Sequence, residues 1–317
     1  MPGFGKTELL PDPGLATVHS TVNTQRVMRD AWLLGAALCA MSCGSNEASE
    51  PGPQPCDGDP ASGVCVLRVT GSLVDFAGGP VESAPVSVCG DVCYYGASDA
   101  AGKFDVSVAN YIEPAAYHVL VHERTSRASF YYSLTGSPDA GVLAAGELLV
   151  LLLPESGPEL VVAGAGAPAQ SVTSGAVTLD VPAGVDVKLD VEDVTAGPVG
   201  SQFRALAVPQ SAWQQFVPAE TAALALYALA PFEATFREQG AKTKAKAQLS
   251  FVNTTGLPPS AAVEVMILGS YYVEQSLPPG TFGPAALGHV SVDGTRIMLD
   301  DGEGVEYLSW LALREKK

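Results

Sequence analysis

The chain has 317 residues, enough for two domains, and carries 34 acidic against 17 basic side chains for a formal charge of −17. That balance argues against nucleic acid or an anionic lipid surface as partner, because neither would release counterions favourably to it. Charged residues are only 16%, whereas Gly (33) and Pro (24) are plentiful, so short strands joined by tight turns, an all-β chain, are predicted.

Met28 to Cys43 reads MRDAWLLGAALCAMSC. Arg29 gives a positive start, and 31–42 is an apolar run of about a dozen residues. That fits the roughly 7–15 of an export-signal core and falls short of the roughly 20 of a membrane-spanning helix. Small Ser42 precedes Cys43. These residues resemble the lipobox of bacterial lipoproteins, with Ala40 and Met41 departing from its usual residues. The resemblance implies a signal peptide over 28–42, lipid attachment at Cys43 and a membrane anchor. Cys39 is the poorer acceptor, since bulky Leu38 precedes it. An ordinary secretory signal without lipid is the other reading of the same stretch. Residues 1–27 have no apolar run and push the signal away from the start, so an over-long reading of the gene is expected, with the start at Met28 or Val27. No Asp follows Cys43, which in Gram-negative lipoproteins resembles passage to the outer membrane.

Residues 43–64 read as a flexible tether of Pro, Gly, Ser and acids that cannot bury enough apolar surface to fold alone. Beyond Cys39 and Cys43, the cysteines are Cys56, Cys65, Cys89 and Cys93. An even number in an exported chain implies two disulfides, with three connectivities open. Cys89 and Cys93 have a tolerable spacing for zinc, but Cys56 and Cys65 form no matching second pair, so no metal is expected.

Residues 65–154 read as one β domain. A strand over 66–74 is followed by the turn Gly78-Gly79-Pro80 and a return over 84–89. Tyr94 to Ser98 leads into a turn at Asp99 to Gly102, where Asp99 can cap and Gly102 can take positive φ. Phe104, Val106 and Val108 then alternate, as do Tyr117, Val119 and Val121, and Ala128, Phe130 and Tyr132. Glu147 to Leu153 reads as a last, fully buried strand. The order V-x-G-x-L-V-D, G-G-P-V, A-P-V-S-V, S-D-A-A-G-K-F-D-V and Y-H-V-L-V resembles the carboxypeptidase regulatory-like domain, over roughly a quarter of the chain. That resemblance implies a transthyretin-like β-sandwich of about seven strands, an accessory module without peptidase activity. If 66–74 pairs antiparallel with 84–89, all four cysteines come to one pole. The low entropy cost of short loops favours Cys56–Cys65 and Cys89–Cys93.

Residues 155–317 read as a second β-sandwich. Val177, Leu179 and Val181 alternate, and Val187, Leu189 and Val191 continue the period. AALALYALA, Ala222 to Ala230, suits a short helix or a strand, and its neighbours favour strand. Strands are also predicted over 245–252, 263–268, 289–292, 297–299 and 307–313. L-S-F-V-N-T-T-G-L-P-P, G-H-V-S-V-D-G-T and D-G-E-G-V loosely resemble the ZU5-like β-sandwich modules of bacterial surface lipoproteins. Some ZU5 relatives cleave themselves at a His-hydrophobic-Ser site, and His289-Val290-Ser291 has that order.

The chemistry-bearing candidates are sparse. His118 and His122 lie four apart in an alternating strand, roughly 13 Å from each other at about 3.3 Å per residue, which is too far to share a metal. They are expected on a solvent-facing surface. No nucleophile elbow, phosphate loop or dinucleotide fingerprint is present, so no cofactor is expected. Asp190 with Glu192 and Asp193, and Asp300 and Asp301 with Glu303, are acid pairs of the type a glycosidase would need across a cleft; Asp300 to Gly304 reads as a plain acidic turn, with weak calcium binding through loop oxygens the other reading. Lys242, Lys244 and Lys246 alternate, as in a guarded sheet edge. Each of the pairs Tyr94-Tyr95, Tyr131-Tyr132 and Tyr271-Tyr272 puts one ring outward, and Tyr94, Tyr131 and Tyr271 are the candidate ligand-binding residues. The resulting expectation is a non-enzymatic, lipid-anchored protein of the outer membrane or cell surface. It would serve as a structural or protein-binding module, or else as a carbohydrate-binding one, with an envelope or extracellular protein or glycan as partner.

Overall fold

The computed structural model describes residues 56–316, apart from 122, 124, 163–167 and 275–276. The signal, Cys43, most of the tether and His122 therefore lie outside the described residues. Among the described residues, no helix is long and apolar enough to cross a membrane. The fold is all-β.

The first half supplies β1 (Val64–Val74), β2 (Pro85–Cys89), β3 (Cys93–Ala97), β4 (Lys103–Ile112), β5 (His118–Val121), β6 (Tyr132–Ser133) and β7 (Val142–Leu149). They form a three-stranded sheet of order β4-β1-β7 and a four-stranded sheet of order β3-β2-β5-β6. Val69, Leu73, Val88, Val106 and Val119 fill the core between them. β1 runs antiparallel to β4 and parallel to β7, with bulges at Val66/Arg68 and Thr70/Gly71. At the second bulge only glycine fits: a Cβ on Gly71 would lie 2.6 Å from Phe104 Cζ and 2.7 Å from the Gly146 carbonyl. The expected turn is present, with Asp99 Oδ1 accepting from the N–H groups of Ala101 (2.9 Å) and Lys103 (2.8 Å) and Gly102 at φ 73°.

Several expectations for this half are corrected. β1 does not pair with β2; the two lie in opposite sheets. Alternation shows which face of a strand is buried, but both strands face one core and either pairing would satisfy it. The last strand ends at Leu149 rather than Leu153. Beyond it Val150 belongs to the first core, Leu151 and Leu153 to another, and Leu152 is 62% exposed. Of Ala128, Phe130 and Tyr132, only Tyr132 is in a strand. The cysteines do gather at one pole, though not through a β1–β2 pairing: Cys65 lies opposite Tyr111 near the end of β4, and Cys89 opposite His118 at the start of β5. Cys56–Cys65 ties the tether to the start of β1, and Cys89–Cys93 links directly opposed residues of the β2–β3 hairpin.

The second half contains β8 (Gln170–Ser174), β9 (Val177–Val181), β10 (Val185–Lys188), a short helix α1 (Val191–Thr195), β11 (Arg204–Ala207), β12 (Ala225–Ala230), β13 (Thr235–Glu238), β14 (Gln248–Val252), β15 (Ala262–Leu268), β16 (Phe282–Val290), β17 (Arg296–Leu299) and β18 (Trp310–Glu315). Nine strands make one sheet of order β11-β12-β18-β15-β16-β17-β14-β9-β8, and β10 pairs with β13. The sheet curls almost into a barrel. Residues 158–161 bridge its ends: Leu160 N donates to the Ser201 carbonyl before β11, and Gln170 of β8 brackets the Val161 backbone through its side-chain amide. Val187 begins as a strand as expected, but Leu189 and Val191 do not continue it. Asp190 Oδ1 accepts from Glu192 N at 2.9 Å and caps α1, leaving Val191 exposed.

The two halves share a third core. β12 turns Tyr227 and Leu229 into the barrel and Leu226, Ala228 and Ala230 toward the first half. β18 divides in the same way, with Leu311 and Leu313 on one side and Trp310 and Ala312 on the other. Across the seam Phe130 stands edge-on to Trp310 at 5.0 Å and Trp310 Nε1 donates to the Ser129 carbonyl at 2.6 Å, while Phe216 of the second half lies 4.6 Å from Trp310. Burial on both faces explains why AALALYALA is a strand without polar alternation.

Candidate functional site

Beside this aromatic core, the seam holds a group of polar side chains from four separate segments. β5 brings His118, the loop before β6 brings Tyr131, the turn after β12 brings Glu233, and the loop after β15 brings Ser270 and Tyr271. The turn after β12 contains the cis peptide Ala230–Pro231 and places Glu233 at φ 64°. The Glu233 carboxylate accepts hydrogen bonds from both Tyr131 Oη and Ser270 Oγ. Tyr272 N donates to Ser270 Oγ at 2.9 Å, and Tyr271 N to Tyr131 Oη at 3.4 Å. Burial, then the nearby Glu233 charge, raises the Tyr131 phenol far above its ordinary range.

His118 fastens the loop after β15 to the first half. Its Nδ1 lies 2.7 Å from Tyr271 Oη, and its Nε2 faces the Pro279–Gly280 backbone, where the Pro279 carbonyl accepts from it. Burial favours the neutral ring, and with Nε2 donating to the Pro279 carbonyl such a ring leaves Nδ1 to accept from Tyr271. The same hydroxyl lies within hydrogen-bond reach of the carbonyls of Ala116 (3.0 Å) and Cys89 (3.1 Å). Burial lowers the His118 pKa, against the smaller opposing effect of the Pro279 carbonyl. Burial, then neighbouring Tyr117 and Asp91, pushes Tyr271 up to about 12.

The expectation of a solvent-facing His118 is thus corrected: it is 7% exposed, because the second half covers the outer face of β5. Nor do the candidate tyrosines point outward. Tyr131 is 6% exposed, and Tyr271 is spent on the clamp. Tyr94 is half-buried, stacks on Tyr117 at 6.5 Å and accepts from Asn110 Nδ2 at 2.9 Å. The rings that face solvent are Tyr95 (73% exposed) and Tyr272 (47%). Sequence reasoning missed Glu233 and Ser270. The one available signal was a lone carboxylate in the apolar run LAPFEA.

The other candidates are dispersed. His289 Nδ1 pairs with Asp300 Oδ1 at 2.6 Å, whereas Ser291 Oγ donates to Asp293 at 2.5 Å, so the His-x-Ser residues engage different partners. Hydrogen bonds from Ser291 and Thr295 hold the Asp293 carboxyl down to about 2. In the lysine segment Lys244 pairs with Glu306 at 3.0 Å and Lys246 lies 3.9 Å from Glu303, so these two offset the acidic loop after β17. Among the described residues no group of three or more His, Cys, Asp or Glu gathers to hold a metal. A pocket of about 290 Å³ beside Ile267, Leu277 and Tyr307 contains one carboxylate, Glu306, already paired. A wider groove of about 680 Å³ over the outer face of β1 contains two, Asp99 and Asp105. Asp99 caps its turn and Asp105 pairs with Arg68 at 2.7 Å.

In chemical terms, Glu233 and His118 are clamps. Their donors and acceptors satisfy one another and join the two halves. No protein-family model matches the chain, and no curated protein matches it.

Proposed function

We propose that this protein is a non-enzymatic cell-envelope lipoprotein, exported, anchored through a lipid on Cys43, and acting as a structural or protein-binding module at the outer membrane or cell surface. The carrying observation is the seam: a third core and a polar clamp join the two halves behind a Pro- and Gly-rich tether, an arrangement suited to a stiff body. Stiffness suits presentation of surfaces to a partner, with little ordering cost on binding. Two disulfides agree with an exported protein. Seven strands in two sheets support the reading of 65–154 as a carboxypeptidase regulatory-like module.

The test is the mass of the N-terminal peptide from host membranes, followed by crosslinking at the envelope. A diacyl or triacyl Cys43 and a specific protein crosslink support the proposal; an unprocessed terminus overturns it. The carbohydrate-binding alternative now rests on exposed Tyr95 and Tyr272. It predicts binding on a glycan array that is lost in Tyr95→Ala and Tyr272→Ala, whereas protein binding elsewhere survives both.

A further inference from the structure

The barrel register brings together two residues that lie nine positions apart. His289 of β16 and Met298 of β17 are direct cross-strand partners, and the pairing alternates buried and exposed residues so that both side chains point to solvent. Neighbouring backbone bonds, Ser291 N to the Arg296 carbonyl and Asp300 N to the Leu287 carbonyl, make His289–Met298 a hydrogen-bonded pair, with Cα atoms about 5.5 Å apart. A thioether and an imidazole on one face at this spacing can converge on a single ion.

The imidazole is already oriented. Its Nδ1 lies 2.6 Å from Asp300 Oδ1, and a carboxylate only accepts, so Nδ1 carries a proton and, in a neutral ring, Nε2 is the nitrogen left with a lone pair. A carboxylate on the far nitrogen is the usual support of a metal-binding histidine, fixing its tautomer and raising its basicity. Met298 is 46% exposed, so its thioether is open to an ion from solvent. The nearest cation on the face, Arg296, leans the other way: its guanidinium donates to Ser250 Oγ (2.6 Å) on β14 and Thr178 Oγ1 (3.0 Å) on β9.

We propose that His289 and Met298 form a binding site for a soft monovalent cation, Cu(I) in chemical class, with Asp300 as the positioning residue. A thioether selects a soft ion over Zn(II) or Ca(II), for which no group of three or more His, Cys, Asp or Glu gathers among the described residues.

The test uses the full chain with free thiols alkylated and ¹³C-methyl-labelled methionine, titrated with Ag(I) as the redox-inert probe. The expected result is a joint shift of the Met298 methyl and the His289 ring, saturating together, while the methyl of buried Met266 stays still. Met298→Leu and His289→Gln each abolish the joint shift. Asp300→Asn keeps both donors and weakens binding about 10–100-fold. All three changes are on the exposed face and should leave the melting temperature close to that of the wild type. A Met298 methyl that does not move, an undiminished His289 shift in Met298→Leu, or equal affinity for Zn(II) overturns the proposal.

Discussion

Replacing Trp310 by Ala should divide the molecule at its seam. Trp310 is 1% exposed; its ring meets Phe130 at 5.0 Å and Phe216 at 4.6 Å, and its Nε1 donates to the Ser129 carbonyl across the seam. Truncating a buried Trp to Ala costs about 3–5 kcal/mol through lost burial and the cavity left behind. Leaving the Ser129 carbonyl unpaired adds about 1–3 kcal/mol. The combined effect, about 5 kcal/mol, corresponds to a fall of roughly 10–20 °C in melting temperature for a folded part of this size. Scanning calorimetry should show one transition in the wild type, because the third core couples the two halves, and two in the variant. Trp310→Phe keeps the ring contacts and loses only the N–H, so it should fall between the two. A variant melting within about 2 °C of wild type, or a wild type already melting in two separate steps, would refute the coupling argument.

The remaining predictions concern other parts of the molecule. Because burial lowers the His118 pKa below its ordinary 6.5, the unfolded chain binds the proton more readily. His118's contribution is fully present above about pH 6.5, falls as the pH drops toward the lowered folded value and then levels off. Urea midpoints from pH 5 to 8 should show this slope in the wild type and a shallower one in His118→Gln; identical slopes would remove the argument. Gly71→Ala should destabilise by more than the roughly 1 kcal/mol of an ordinary strand substitution, since its Cβ meets the Gly146 backbone, and equilibrium unfolding measures it. Asp99→Ala removes a carboxylate that holds two turn N–H groups and should cost about 1 kcal/mol in the same assay. Replacing both Cys89 and Cys93 by Ser, or both Cys56 and Cys65, should cost about 2–3 kcal/mol per bridge from the short loops closed, and denaturant midpoints would show it.

Strand character was readable because it is local. Period-two alternation in Phe104 to Val108 and Val177 to Val181, and the Asp99–Gly102 turn, depend only on neighbouring residues and on pleat geometry. The disulfide pairs followed from short-loop entropy, even though the strand pairing imagined alongside them was wrong. Asp190 was read only as one of a group of acids, and the run Val187, Leu189, Val191 obscured the helix that it caps. Strand partners, by contrast, depend on contacts between distant residues. One alternating strand fits several neighbours equally well, so only the folded molecule put β1 and β2 in opposite sheets and His289 against Met298. The seam was hidden for the same reason. His118, Tyr131 and Tyr271 look like surface residues until a second layer covers them, and Glu233 looks like an isolated acid until Tyr131 and Ser270, over thirty residues away in either case, donate to it. Composition and periodicity determine which residues seek burial; the packing of one half on the other determines which polar groups are buried with them and must find partners there.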